Sequence, residues 1–354
     1  MLQHMRLCVL GWIAALTLHR QVQADSTQEP ALPRRTTSGL LRQMPILMTH
    51  DSATGYESNW DPAHFWVKTQ SVDLVTQLNC GARALDIRIQ MLPDGLYFHH
   101  GDVPIVETVD AAMKKIVQWA GEHPSELVLL QVRHCYDDEE EVSCQTNASA
   151  KIWTALEGYG ITKQTSCPTI SSWTYEQALT ASNISNGGKI LAFTCVEYNW
   201  EPNLGWGHNS KVAWDQLWAY VKSSLVPGKF NVPFETQVFW QEEATFSNLG
   251  KNVLHYESII ATNRKTQINK RVLEEIEAGN FTGVNLLMIN NVCEYGPALA
   301  RALGHNVSSS DASQCDVACL ESTSLEDVLS KSNKGSSSCT SWLLTVAMWY
   351  FLAG

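Results

Sequence analysis

Short apolar runs bounded by polar turns alternate along this chain with longer segments whose apolar positions recur every three or four residues. The runs Ile46-Met48, Ala84-Ile89, Leu127-Val132, Ile190-Thr194, Thr236-Trp240 and Val284-Ile289 read as strands. Between them, Ser71 to Asn79, Thr108 to Gly121, Lys211 to Ser224 and Ile259 to Ala278 read as helices, the last with Ile268, Val272 and Ile276 on one face. Strand and helix in alternation place strands side by side in a parallel sheet covered by helices. The expected fold class is therefore α/β, as one irregular barrel. No repeat of fixed period divides the chain.

Both ends depart from this pattern. A start carrying Arg6 leads into the apolar run Leu7 to Leu18 and then Val22-Gln23-Ala24, which predicts a signal peptide over residues 1–24. The run is too short for the roughly twenty residues that cross a bilayer. At the other end a small-residue polar stretch, Ser330 to Ser338, precedes the apolar run Trp342 to Ala353, the pattern of a GPI-attachment signal over 332–354. The barrel domain is expected over 25–331.

Composition agrees with an exported chain. Apart from Cys8 and Cys339 in the two ends, eight cysteines remain: Cys80, Cys135, Cys144, Cys167, Cys195, Cys293, Cys315 and Cys319. An even set in a secreted protein implies disulfides, and Cys135 with Cys144, or Cys315 with Cys319, could close short loops. A zinc site competes poorly because no CxxC pair exists. Asn147, Asn183, Asn280 and Asn306 each begin a glycosylation sequon. The formal net charge of -11 argues against nucleic acid as a partner.

The candidate chemistry lies where strands end. Met48-Thr49-His50-Asp51-Ser52 follows the first strand, Ala84-Leu85-Asp86-Ile87-Arg88 forms the second, and Phe98-His99-His100-Gly101 ends the next apolar run. In a barrel of parallel strands the carboxyl ends converge on one site. Two imidazoles, two carboxylates and a guanidinium meeting there can cleave a phosphodiester. One imidazole takes a proton from a substrate hydroxyl, the other protonates the departing alcohol, and arginine bears the charge growing on phosphorus. In an extended segment His99 and His100 face opposite sides, so only one of them looks into the barrel mouth.

Those residues, read with Pro124-Ser125-Glu126 and the strand after it, resemble the X domain of phosphatidylinositol-specific phospholipases C, especially the secreted bacterial type. The likeness is clear from Pro45 to Tyr136 and fades beyond. It implies a distorted TIM barrel, a phospholipid substrate met at a membrane surface, and a role for each matching residue. His50 would be the general base and His100 the general acid, supported by Asp51. Arg88, held by Asp86, would stabilise the phosphorane where metal-dependent relatives hold calcium; no cofactor is expected, and calcium is not favoured. Arg133 and Asp215 would bind the headgroup. Asn290 stands where the family places the aspartate that orients the base, and Cys195 where it places an arginine. These departures leave two other readings open: a phosphodiesterase for another glycerophospholipid or a glycolipid anchor, and a non-catalytic cell-surface binding protein.

Overall fold

The computed structural model describes residues 38–57, 67–199, 210–226, 229–240 and 258–333. The expected signal peptide and most of the expected tail lie outside them. Eleven strands form one sheet: β1 (Ile46–Thr49), β2 (Ala84–Leu92), β3 (Gly95–His100), β4 (Val103–Thr108), β5 (Val128–Asp137), β6 (Glu140–Val142), β7 (Thr162–Gln164), β8 (Ile190–Phe193), β9 (Glu197–Tyr198), β10 (Phe234–Gln237) and β11 (Leu286–Ile289). The helices are α1 (Leu74–Asn79), α2 (Val109–Glu122), α3 (Ala150–Gly158), α4 (Cys167–Ser172), α5 (Tyr175–Ala181), α6 (Ser210–Ser224), α7 (Ile259–Thr266), α8 (Ile268–Glu277), α9 (Gly296–Ala302) and α10 (Ser309–Asn333).

The sheet runs β7-β8-β5-β2-β1-β11-β10-β9, with every pairing along that path parallel. Only Thr194 to Val196 separates β8, near one end of the path, from β9 at the other, so the sheet curls round towards itself. This is the expected α/β barrel architecture, in irregular form. The hairpin β3-β4 and the short β6 are antiparallel additions to β2 and β5.

Alternation along each strand sorts side chains between two sides. Ile46, Met48, Ala84, Leu129, Leu191, Phe193, Leu286 and Met288 form one buried cluster within the curl of the sheet. Leu85, Ile87 and Ile89 point the other way, onto Met113, Ile116 and Trp119 of α2. Leu47, Leu287 and Ile289 do the same beneath Trp218, Val272 and Leu299. Burial on both sides explains why these strands read as continuous apolar runs.

The structure refines several expected elements. The segment expected as one helix over Ile259 to Ala278 is two, because Gln267 adopts φ 51°, ψ 36° in the left-handed region and breaks the hydrogen-bond ladder. The β3-β4 hairpin and helices α3, α4, α5, α9 and α10 extend beyond the expected strand-helix units. Disulfides join Cys135 to Cys144, as the short spacing suggested, and also Cys80 to Cys315, Cys167 to Cys195 and Cys293 to Cys319. The local Cys315–Cys319 pair is not formed. Both cysteines lie one turn apart on α10 with their sulfurs 3.8 Å apart, and each reaches off the helix to a distant partner instead.

Candidate active site

On β2, Asp86 and Arg88 are two residues apart and so share the side of the sheet lined by Ala84. The same alternation puts Gln131 and Arg133 after Leu129 on β5, and carries Met48 and Met288 on to His50 and Asn290 just beyond β1 and β11. The interior thus changes from apolar to polar at the carboxyl ends of the strands. Asp51 turns the chain sharply after β1: its φ of 42° lies in the left-handed region, which aspartate tolerates better than most residues. Its backbone N–H donates to Asp86 Oδ2 at 3.0 Å, fixing the two carboxylates beside one another.

Asp51 is the hub. Its Oδ2 lies 3.1 Å from His50 Nε2 and 3.2 Å from His100 Nε2, and its Oδ1 lies 2.5 Å from Arg88 Nε. The two imidazole nitrogens are therefore no more than about 6.3 Å apart, the sum of those first two distances. Arg88 Nη2 donates to Asp86 Oδ2 at 2.9 Å and approaches His50 Nε2 at 3.3 Å. The carboxylates of Asp51 and Asp86 are fully buried as side chains, whereas the rings keep 13% and 25% exposure for His50 and His100. The acids are sealed and the imidazoles remain reachable.

His50 is held on its other edge by Asn290, whose Oδ1 lies 2.9 Å from Nδ1. An amide oxygen only accepts, so Nδ1 carries the proton and Nε2 of the neutral ring has a free lone pair. Phe239 stacks on that ring with centroids 4.1 Å apart. Burial lowers the His50 pKa to about 4, against the pull of Asp51, so the ring is an unprotonated base at neutral pH. Burial also lowers the pKa of His100, with Asp51 again opposing it. For Asp51, burial alone would raise the pKa, but Arg88 and the two imidazoles outweigh it and hold the group ionised. Asp86 behaves likewise, with Arg88 and Arg133 prevailing over burial.

The headgroup positions fall differently. Arg133 sits beside the cluster, 3.8 Å from Asp86 Oδ1, but its Nη1 is committed to both oxygens of Glu235 at 2.9 and 3.0 Å. Its guanidinium also lies 5.3 Å from the centre of the Tyr198 ring. Asp215 does not join: it is exposed on α6, while Trp214, Leu217, Trp218 and Val221 turn that helix's apolar face to the core. The expectation for Asp215 is corrected on that ground; the carboxylate that meets Arg133 is Glu235, on β10. Its alternation with Gln237, which donates to it at 3.0 Å, was the only signal in the sequence. Cys195 is tied to Cys167. His99 is 3% exposed, its ring nitrogens 2.8 Å from the Gly101 carbonyl and 2.6 Å from that of His134, so it is the inward-packed partner of the pair.

His50, Asp51 and Asp86 offer three donors within 4.8 Å of one another, the makings of a cation site. Arg88 already lies between both carboxylates and supplies the positive charge there. A divalent ion there would have to displace the guanidinium. The second such group, Cys80, Cys293 and Cys319, consists of disulfide sulfurs, which are not thiolate ligands.

No family model matches the chain. Over 115 residues it is 29% identical to a PI-PLC X-box domain-containing protein of Dictyostelium discoideum, a match covering 28% of this chain and 15% of that protein. It is 35% identical over 72 residues to PI-PLC X domain-containing protein 1 of Mus musculus, covering 20% of this chain and 21% of the relative. With 1-phosphatidylinositol phosphodiesterase of Staphylococcus aureus the identity is 29% over 105 residues, 29% of this chain and 33% of that one. The matches thus span a third or less of these relatives' own lengths. Solved structures extend the likeness at the level of fold. A variant of the phosphatidylinositol-specific phospholipase C of Staphylococcus aureus matches with a TM-score of 0.56 and 13% identity, over 78% of this chain and 95% of that one. The enzyme from Listeria monocytogenes matches with a TM-score of 0.50 and 15% identity, over 77% and 96%. Over the matched stretches the sequence is similar to that of phosphatidylinositol-specific phospholipase C X-domain proteins, and over most of its length the chain shares the fold of the bacterial enzymes.

Proposed function

We propose that this protein is an extracellular phosphodiesterase that cleaves a phosphoinositide-type phospholipid by acid-base catalysis between His50 and His100. The observation that carries the reading is the convergence of both imidazoles on one carboxylate oxygen of Asp51, with Arg88 beside them. His50 Nε2 would take the proton of the hydroxyl next to the phosphoester. That oxygen then attacks phosphorus, and Arg88 bears the charge that grows on the phosphoryl oxygens. His100, paired with Asp51, gives its proton to the departing glycerol oxygen, leaving diacylglycerol and a cyclic phosphate. Protonated His50 gains an ion-pair partner, since its Nε2 already faces Asp51 Oδ2. A bound phosphodiester anion raises the pKa of His100 and helps it to hold the proton it must give.

Four disulfides, exposed Asn147, Asn183, Asn280 and Asn306, and the expected leader support an exported glycoprotein. No helix among the described residues is long and apolar enough to cross a membrane. The expected GPI tether would depend on the tail, where residues 334–354 lie outside the described structure. Treatment with a glycosidase should shift the mass of the secreted protein.

A second reading concerns the headgroup. With Arg133 paired to Glu235 and Cys195 closed in a disulfide, the wall that would recognise inositol differs from the family pattern, which favours a related glycerophosphodiester or glycosylated lipid. The test is turnover of labelled phosphatidylinositol, other glycerophospholipids and a glycolipid anchor by purified protein, beside His50→Ala and His100→Ala. Loss of turnover in both variants, unchanged by EDTA in the parent, supports a metal-independent enzyme. If neither substitution alters any turnover, the barrel is a binding protein.

A further inference from the structure

His50 and Asn290 belong to loops 240 residues apart, and their 2.9 Å contact needs those loops held in fixed register. Thr49 and Ile289 are the last strand partners, and one more backbone bond, from His50 N–H to the Ile289 carbonyl at 3.0 Å, closes the ladder just short of the two side chains. Beyond them a third segment, Thr69-Gln70-Ser71, crosses both chains. The buried amide of Gln70 donates from Nε2 to the His50 carbonyl at 3.2 Å and to the Ile289 carbonyl at 3.0 Å, while its Oε1 accepts from Val292 N–H at 3.0 Å. One side chain therefore uses both ends of its amide to bridge the two loops.

The residues on either side repeat the pattern. Thr69 Oγ1 donates to the same His50 carbonyl at 2.7 Å, and its own carbonyl accepts from Asn291 N–H at 2.8 Å. Ser71 Oγ donates to Asn291 Oδ1 at 2.7 Å. Asn291 itself turns the chain at φ 46°, in the left-handed region that asparagine tolerates better than most residues. Just after the segment, Val72 passes close to Gly55, where an added Cβ would lie 1.7 Å from the Val72 carbonyl oxygen.

We infer that Gln70, assisted by Thr69, is a positioning residue that sets the register of His50 against Asn290. The inference deepens the proposed acid-base mechanism and rests on it for its kinetic consequence, but not for its structural one. Gln70 touches neither substrate nor the reacting nitrogen. It acts through the backbone on either side of the pair.

The experiment is a double-mutant cycle of Gln70→Ala and Asn290→Ala in the full protein, read by the NMR titration of His50 and by lipid turnover. Releasing the clasp lets water reach the His50 ring, so Gln70→Ala should raise its titration midpoint by about one unit and lower kcat roughly tenfold with KM little changed. With Asn290 already Ala, the same substitution should change either quantity less than about twofold. Additive effects, or a midpoint that stays put while only melting temperature falls, would overturn the inference. Should Gln70→Ala fail to fold, Thr69→Val removes the other bond to the His50 carbonyl and should move the midpoint the same way, whereas Thr69→Ser should leave it. A parent protein without lipid turnover would defeat the functional reading alone, because the titration arm still decides the placement.

Discussion

Replacing Asn290 by aspartate changes one atom in the base-orienting contact and tests the most unusual feature of the site. The amide oxygen lies 2.9 Å from His50 Nδ1, where it orients the ring but offers no charge to the imidazolium formed after proton abstraction. A carboxylate there places charge centres about 4 Å apart, worth about 4 kcal/mol at an effective dielectric near 20. At about 1.4 kcal/mol per pKa unit this would raise the His50 midpoint by up to about three units from its value of about 4. Asp51 and Asp86 reduce the gain, because a third buried acid near them is costly, so a rise of about two units is expected. That carries the base towards neutrality, where a general base is most effective, and the turnover rate should increase on the order of tenfold. NMR titration of His50 and the acid limb of the pH-rate profile measure the two effects independently. A midpoint within a few tenths of the parent's, or a rate unchanged or lower, would refute the placement of Asn290 as the group that orients the base.

Four further outcomes follow from the structure. Because burial lowers His50 to about 4 and also lowers His100 below 6.5, kcat/KM should peak on the acid side of neutrality and fall above it; a rate still rising at pH 9 would contradict this. The same shift affects stability: the folded state resists the His50 proton that the unfolded chain takes up near 6.5, so about 3 kcal/mol should be lost between pH 6.5 and 4, measurable by denaturant titration. Arg88→Lys keeps the charge but cannot reach Asp51 and Asp86 together, and should lower turnover on the order of a hundredfold while the melting temperature changes little. Removing the Cys80–Cys315 bond, which closes a separation of 235 residues, should cost about 5 kcal/mol in the chain-entropy picture, against about 2.6 for the nine-residue separation of Cys135–Cys144; paired Ala variants compared by thermal unfolding decide, and equal losses would refute the loop-length argument.

The central strands β1, β2, β5, β8, β10 and β11 were legible because they are largely buried on both sides and so read as apolar runs, whereas β6, β7 and β9, exposed or half-buried, left no such run. The lead residues were legible because they follow such runs at short distance: His50 after β1, Asp86 and Arg88 within β2, His100 at the end of β3. The break at Gln267 was not legible, since the apolar spacing continues on either side of it and only the backbone reverses. Nor were the long-range disulfides, whose partners are chosen by how α10 lies on the domain rather than by spacing. Asp215 failed for a related reason. Its segment was read as a helix, Lys211 to Ser224, but that helix turns Trp214 and Trp218 to the core and leaves the aspartate exposed.

Glu235 and Gln70 escaped sequence reading more completely, and they share a physical cause. Neither lies in a motif, and each matters only through a group more than a hundred residues away or on another loop: Glu235 through Arg133, Gln70 through His50 and Ile289. A side chain that meets the reacting atoms must be of a narrow chemical type, and so leaves a signature. One that holds the others in register needs only donors and acceptors at the right place, which many polar residues supply. What identifies it is the burial of a polar group with its hydrogen bonds spent on the side chains or the backbone around the candidate site, a pattern that exists only once the chain is folded.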